Sequence, residues 1–286
     1  MSQRKTELRN FVKRYCNNKL AVLGLVIFFL IVAVVLIAPL LIPYGEAEID
    51  VVAFSAAPSS KHLLGTDTVG RDVLARLLYG GRVSLFVGVV STAISVVIGI
   101  PLGLLAAFYR GWFETIVMRA ADIFMTIPST ILILFLVSMF GPSIITVTVV
   151  IGVLGWTKFA RQIFGMVLAV REKDYIEGGR AVGQKDSVII AKYILPNAIA
   201  PIFISITFRI AASIIQESSL SFLGMGVQMP AASWGNMLYN AQSITILKSC
   251  QWMWIPPGVA LVITILCINF IGNGLRDALD PKTALR

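Results

Sequence analysis

The sequence is short of the side chains that carry covalent chemistry. It holds one histidine, His62, and three cysteines, Cys16, Cys250 and Cys267, in 286 residues. One imidazole without neighbouring His or Cys makes a poor metal site, and the cysteines fit no metal-ligand spacing. They fall near the N-terminus, in a late loop and inside an apolar run, so no obvious disulfide is expected. No H-E-x-x-H and no G-x-x-x-x-G-K-[ST] occurs, so neither a zincin-type centre nor a P-loop is encoded. Charge is scarce as well: 14% of residues are charged, against about 25% in soluble domains. These shortages weigh against an enzyme and against a soluble domain.

Apolar sequence fills the gap. Hydrophobic residues make up 57% of the chain, and the runs 20–43, 83–109, 123–157 and 249–275 carry no charge. A membrane span takes about 20 such residues. The first run, at 24 residues, exceeds the roughly 7–15 of a signal-peptide core, and no A-x-A-like site follows it. It reads as a retained span. Gly141-Pro142 divides the third run, because proline after glycine breaks a helix. The pattern predicts an all-α polytopic membrane protein with six transmembrane helices, at about 20–43, 84–109, 120–140, 143–164, 196–220 and 254–275.

Lys and Arg orient these spans. Residues 1–19 hold six (Arg4, Lys5, Arg9, Lys13, Arg14, Lys19) and 158–192 hold seven (Lys158, Arg161, Arg171, Lys173, Arg180, Lys185, Lys192). Both segments, and the C-terminus with Arg276, Lys282 and Arg286, are expected on the cytoplasmic side. The 141–142 turn has no such charge and the 221–253 loop only Lys248, which places both outside. Loop 44–82 carries four basic and five acidic residues, and its length weakens the rule. The net charge of +9 is therefore mostly a topological signal, and nucleic-acid binding is not expected.

One polar stretch, DYIEGGRAVGQKDSVIIAKYILP at 174–196, interrupts the oily chain. Asp174 followed by Glu177 fits a capping box, Gly183 suits a left-handed helix stop, and Asp186 or Ser187 can cap a second segment. Pro196 would then open the fifth span. The expectation is a short, bounded helix on the cytoplasmic face. The plainer alternative is a solvated connecting loop.

The same residues resemble a known family. Glu177-Gly178-Gly179, three residues, Gly183, then Leu195-Pro196 is similar to the EAA loop of ABC-importer permeases, E-A-A-x3-G-x9-I-x-L-P, with two glycines for alanines and Tyr193 for isoleucine. In that family the segment forms a coupling helix seated in a groove of the ATP-hydrolysing subunit. The resemblance implies that role for Asp174, Tyr175, Glu177, Gly178, Gly179, Arg180, Ala181, Gly183, Leu195 and Pro196. Each mid-helix glycine costs about 0.5–1 kcal/mol relative to alanine. The free helix is therefore expected to be loose, and to gain its order on docking.

HLLGTDTVGRD (62–72), SLSFLGMGVQMPAASWG (219–235) and GNGLRDALDP (272–281) narrow the resemblance to the C-type permease of dipeptide, oligopeptide and nickel importers. It covers about residues 18–282. It implies a type I permease fold with cytoplasmic termini and a heterodimer with a homologous B-type permease. It also implies two P-loop ATPases that hold ATP and Mg, an extracytoplasmic solute-binding protein, and a bacterial or archaeal cytoplasmic membrane. No cofactor or metal is expected in this chain. Di- or oligopeptides are the expected substrate, with nickel and glutathione as alternatives. Residues 1–83 are expected to hold the cytoplasmic N-terminus, the first transmembrane helix and an extracytoplasmic loop with its lip helix, and 84–286 the permease core of five transmembrane helices, with the cytoplasmic coupling loop at about 166–195.

Further candidates follow from the residues themselves. In 62–82 the turn residues Gly65, Thr66 and Asp67 precede an amphipathic helix; with His62, Gly70, Arg71 and Asp72 they face the binding protein or the outer gate, or pack as a lip on the permease. Arg209, Gln216 and Glu217 interrupt the fifth span. Arg209 and Glu217 are two turns apart on one face, and they line a pathway, engage the partner permease, or form an interfacial ion pair. Asp122 and Arg119 are expected in cytoplasmic-edge contacts, Trp234 near the membrane interface, and Met118, Met125 and Met139 in span packing. Gly99-x-x-x-Gly103 is a weak candidate packing face because Pro101 lies inside it. The competing class, an ion-driven secondary transporter, would need inverted repeats and buried carboxylates. No clear repeat occurs, and only Asp122 and Glu217 qualify.

Overall fold

A computed structural model describes residues 11–279. Arg4, Lys5, Arg9, Lys282 and Arg286 of the charge pattern, and Asp280-Pro281 of the last motif, lie outside the described residues. Within them the chain is helical, without a strand. Four helices are long and apolar enough to cross a membrane, and the number is six if each of two bent pairs is one span.

The first long helix, α1 (Lys19–Leu41), starts where the Asn18 side chain accepts the Ala21 amide at 3.1 Å, a side-chain cap for an otherwise orphaned donor. It packs along the last helix, α11 (Ile255–Leu279). The second, α2 (Val73–Tyr109), is a single 37-residue helix. The amphipathic lip expected at 73–82 and the span expected from 84 are thus continuous, and the 83/84 boundary falls inside α2.

The centre of the bundle is α2. It packs against α6 (Trp156–Arg171), α9 (Ala200–Phe222) and α5 (Ile144–Leu154). One face of α2 is built of Gly80, Ser84, Gly88, Ser91, Ser95, Gly99 and Gly103, all buried at spacings of three or four. Small residues at helical spacing let backbones approach, which in lipid replaces the hydrophobic drive. The approach is close: a Cβ on Gly99 would lie 2.5 Å from the Trp156 carbonyl oxygen, and one on Gly103 2.2 Å from that of Ala160. The glycine pair at 99 and 103 is therefore a tight packing face. Pro101 does not spoil it, because its ring is exposed on the other side of the helix.

The run 123–157 breaks twice. Gly141 (φ 86°) turns the chain as expected. A second break separates α3 (Gly111–Thr126) from α4 (Ser129–Phe140), which meet at 91°. Ile127 is extended there (φ −90°, ψ 131°), because the ring of Pro128 disfavours a helical residue before it. The third span is thus an elbow, not a straight helix. Met125 and Met139 are exposed on it and only Met118 is partly buried, so two of the three methionines do not pack inside this chain. Trp234 opens α10 (Trp234–Leu238), is 1% exposed, and donates from its indole to the Leu77 carbonyl at 2.9 Å. The indole fills the space over Gly81.

Candidate functional site

Three places collect the predicted site residues. The first is the loop between α6 and α9. Its helix α7 runs Asp174–Ala181. The capping box is not formed: Lys173 takes the extended N-cap conformation, so Asp174 already lies inside the helix, and neither side chain makes a cap bond. Asp174 and Glu177 instead place negative charge on the first turn, where the helix dipole favours it. At the other end Gly183 (φ 72°) is left-handed. Its amide bonds the Arg180 carbonyl and the Gln184 amide bonds the Gly179 carbonyl, at 2.9 and 3.1 Å. This is the glycine stop that the sequence indicates.

Inward, Ile176 is fully buried among Ile189, Ile194 and Ile163, and the Arg180 guanidinium lies over the Phe108 ring, 5.4 Å from its centre. Outward, Asp174, Tyr175, Glu177, Gly178, Ala181 and Val182 are exposed. A Cβ at Gly178 would meet nothing within 4 Å, and one at Gly179 would make ordinary contact with Gln184.

The following helix, α8 (Asp186–Ala198), contains a π-helical turn at Ile189–Ile194. Its N-cap is Lys185, so neither Asp186 nor Ser187 caps it. Leu195 is half-buried and Pro196 exposed. The chain is already helical before Pro196, so that residue does not open the fifth span. The span opens past Ile199, at Ala200-Pro201.

The second place is the knot at 44–72. Asp67 accepts the Val69 and Arg71 amides with one carboxylate oxygen and the Arg71 Nε with the other, at 3.0, 3.0 and 2.7 Å. Asp72 caps α2 by accepting the Ala75 amide at 2.7 Å. Its second oxygen faces His62 Nδ1 at 2.9 Å, and Asp50 faces His62 Nε2 at 3.2 Å. Thr66 donates to the Ala53 carbonyl, and Trp252 donates to the Thr66 carbonyl at 3.1 Å. Gly65 (φ 72°) and Gly70 (φ 84°) are left-handed, where a Cβ would lie 2.5 and 2.4 Å from the carbonyl oxygens of Ala56 and Asp50. These glycines are required by the fold. His62 serves as a strut between two carboxylates. No group of three His, Cys, Asp or Glu side chains suited to a metal occurs among the described residues.

The third place is the polar face of α9. Arg209 is 9% exposed; one of its terminal nitrogens donates to the Ile151 carbonyl at 3.0 Å, and its guanidinium fills the space beside Gly155. Its Nε has no partner, nor has Oε1 of Gln216. Arg209 and Gln216 line one cavity of about 230 Å³ at the α3–α4 elbow. Glu217 stands apart: fully buried, it accepts from Ser221, Ser84 and Ser218 at 2.7, 3.0 and 3.3 Å. Among the described residues Arg209 and Glu217 form no ion pair with each other. Asp122 pairs with Arg161 across α3 and α6, whereas Arg119 is exposed.

Two features escaped the sequence reading. Lys158 and Arg161 counted there among the cytoplasmic charges, although the expected span 143–164 already held both; they lie within the 28-residue span Ile144–Arg171. Lys158 faces both the elbow cavity and an adjoining one of about 310 Å³ lined by Gln162, Ser205 and Arg209. The uncharged flanks of Lys158 were the signal available. The serine cage around Glu217 joins residues 133 positions apart and left no local signal.

A bundle of bent spans around a small-residue core, with an exposed bounded helix between two of them, defines a transport permease. The chain belongs to the family of binding-protein-dependent transport system inner membrane components, which matches residues 99–285; the N-terminal transmembrane domain of oligopeptide transport permease C matches residues 6–58. It is a permease subunit of the ABC-importer class, of the C type. A peptide permease protein of Brucella suis is 43% identical over 272 residues, covering 95% of this chain and 90% of that one. The glutathione transport system permease protein GsiD of Pectobacterium atrosepticum is 37% identical over 279 residues, covering 97% and 92%. A solved structure of the MetNI methionine ABC transporter in inward-facing conformations shares the fold, with a TM-score of 0.58 over 72% of this chain and 96% of that one, at 23% identity.

Proposed function

We propose that this subunit forms half of the pathway of a peptide importer in a bacterial or archaeal cytoplasmic membrane, and that α7 is the handle by which separate ATPases move it. The other half of the pathway is a homologous B-type permease. ATP and Mg are bound by two P-loop subunits, and an extracytoplasmic solute-binding protein delivers the substrate to the outer side, where the 62–72 knot lies. The exposed face of α7 carries this reading. Asp174, Tyr175, Glu177, Gly178, Ala181 and Val182 point out from a helix anchored by Ile176 and stopped at Gly183. A mere linker needs neither the anchor nor the stop. Arg209 and Gln216 face the pathway, and Glu217 braces the outer ends of α2 and α9.

Peptides are the substrate class favoured by the names of the relatives; the glutathione permease leaves that tripeptide as the second reading. Uptake of labelled di- to pentapeptides by the assembled complex, competed by unlabelled peptides, tests the choice. Uptake indifferent to peptides but competed by nickel would overturn it.

A further inference from the structure

Two cations meet in the groove between α6 and α9. Lys158 and Arg209 both line the cavity of about 230 Å³ at the elbow and the adjoining one of about 310 Å³. We propose that they form an anion subsite that receives the carboxylate of the substrate as it passes; the identity of that substrate as a peptide rests on the reading above.

Depth is the first argument. Lys158 lies 13 residues before Arg171, the last residue of the span. At 1.5 Å per residue that is about 20 Å along the helix axis, so the residue lies well inside this apolar helix and not at its end. An intramembrane charge is costly and needs a partner or a function. Among the described residues no carboxylate pairs with Lys158 or Arg209, since Asp122 is engaged by Arg161 and Glu217 by serine hydroxyls. The counter-charge must come from elsewhere.

The second argument is the donor set. Arg209 spends one nitrogen on the Ile151 carbonyl and keeps Nε unpartnered, although the residue is 9% exposed. A guanidinium fork beside an ammonium suits a carboxylate. Gln162, Ser205 and Gln216 add neutral polar groups, and no acidic residue lines either cavity. Each cavity has room for about eight to ten waters, enough for a carboxylate and the residue bearing it. Arg209 also braces the Ile151 carbonyl, so its removal confounds anion binding with structure. Lys158 is exposed and has no such bond, and it is the residue to test.

The experiment uses the assembled transporter in membrane vesicles, with Cys16→Ser and Cys250→Ser, the buried Cys267 retained, and a reporter Gln162→Cys one turn from Lys158. Modification of this chain by an anionic sulfonatoethyl and a cationic trimethylammonioethyl methanethiosulfonate is followed by mass. The anionic reagent should react faster, and Lys158→Gln should lower the anionic-to-cationic rate ratio at least about fivefold, as expected for loss of a unit charge within about 8 Å. Lys158→Arg should restore the ratio, and uptake should fall with Lys158→Gln and recover with Lys158→Arg. A ratio unchanged by Lys158→Gln overturns the subsite. If Gln162→Cys fails to assemble, Ser205→Cys replaces it with the same outcomes. An anionic preference in a complex that moves no peptide would sink the peptide reading and leave the subsite standing.

Discussion

The knot at 44–72 and the loop at 172–199 are both polar segments between spans, yet they satisfy their polarity in opposite ways. In the knot, His62, Thr66, Asp67, Arg71 and Asp72 are each at most 5% exposed and bonded to one another or to nearby backbone. In the loop, eight of the ten residues 174–183, α7 and its stop, are exposed. The glycines separate the two most sharply. At Gly65 and Gly70 a Cβ would strike a carbonyl oxygen at 2.5 and 2.4 Å, whereas at Gly178 and Gly183 it would meet nothing within 4 Å. The knot's sequence answers to its own fold, and Gly178 answers to no contact within this chain.

The largest expected effect lies in the knot. Gly70→Ala puts a methyl 2.4 Å from the Asp50 carbonyl oxygen at φ 84°. Strain of about 1–3 kcal/mol for the conformation adds to the overlap, so the loop should open and proteolysis within 44–72 should rise at least tenfold. Unchanged proteolysis would mean the knot tolerates what its geometry forbids. Next is His62→Ala, which leaves Asp72 and Asp50 without their shared strut. A loss of about 1–3 kcal/mol is expected for the buried Asp72 carboxylate left without its partner, read as a lower thermal midpoint of the purified complex. His62→Asn should recover part of it through the Asp72 bond alone.

How much of this was legible in the sequence depended on whether the cause was local. The charge-free runs, the Gly141 turn and the Gly183 stop each write their physics into a few adjacent residues, and all three stand. Pro128 was equally visible, but an uncharged run hid the elbow it makes, because hydropathy counts residues and not their direction. The pocket of Trp234 was not legible, because a distant glycine, Gly81, provides it. Lys158 was counted with the cytoplasmic charges even though the expected span 143–164 held it, because charge is assumed to leave the membrane. In the loop, the short helix itself was legible, and which of its residues face outward was not. The capping arrangement failed by one residue, since Lys173 rather than Asp174 takes the cap position.

A smaller effect tests the loop's side of the contrast. In Gly178→Ala/Gly179→Ala the added methyls have room, so propensity alone should act, stabilising α7 by about 1–2 kcal/mol in all. Amide exchange across 174–182 should slow by roughly five- to thirtyfold in the isolated subunit. If looseness is what docking relieves, ATPase subunits should also bind this variant more tightly, and transport-coupled ATP hydrolysis should change. Exchange that slows while assembly and coupling stay as they were would remove the looseness hypothesis and leave the docking surface in place.

The smallest effect is a pH dependence at the knot's rim. A hydrogen bond from Lys61, with others from the Val52 amide and His62, holds the Asp50 carboxyl down at about 2, and the same Lys61 contact raises the amine of its partner. For the depressed carboxyl, the contribution is present above the unfolded value of about 3.9 and is lost as pH falls through about 2. For the raised amine, the contribution is present below its unfolded value of about 10.4 and fades as pH climbs past it. The pair should thus steady the rim across the neutral range and release it only at the acid and alkaline ends. Lys61 is 59% exposed on its side chain, so salt should screen the contact and the gain should be small. Lys61→Met should flatten the acid limb of a proteolysis profile at 44–72 while leaving the buried bonds from His62 to Asp72 intact. An acid limb that persists unchanged in Lys61→Met would show that the Lys61 contact does not hold the rim and that the knot's edge is as self-sufficient as its core.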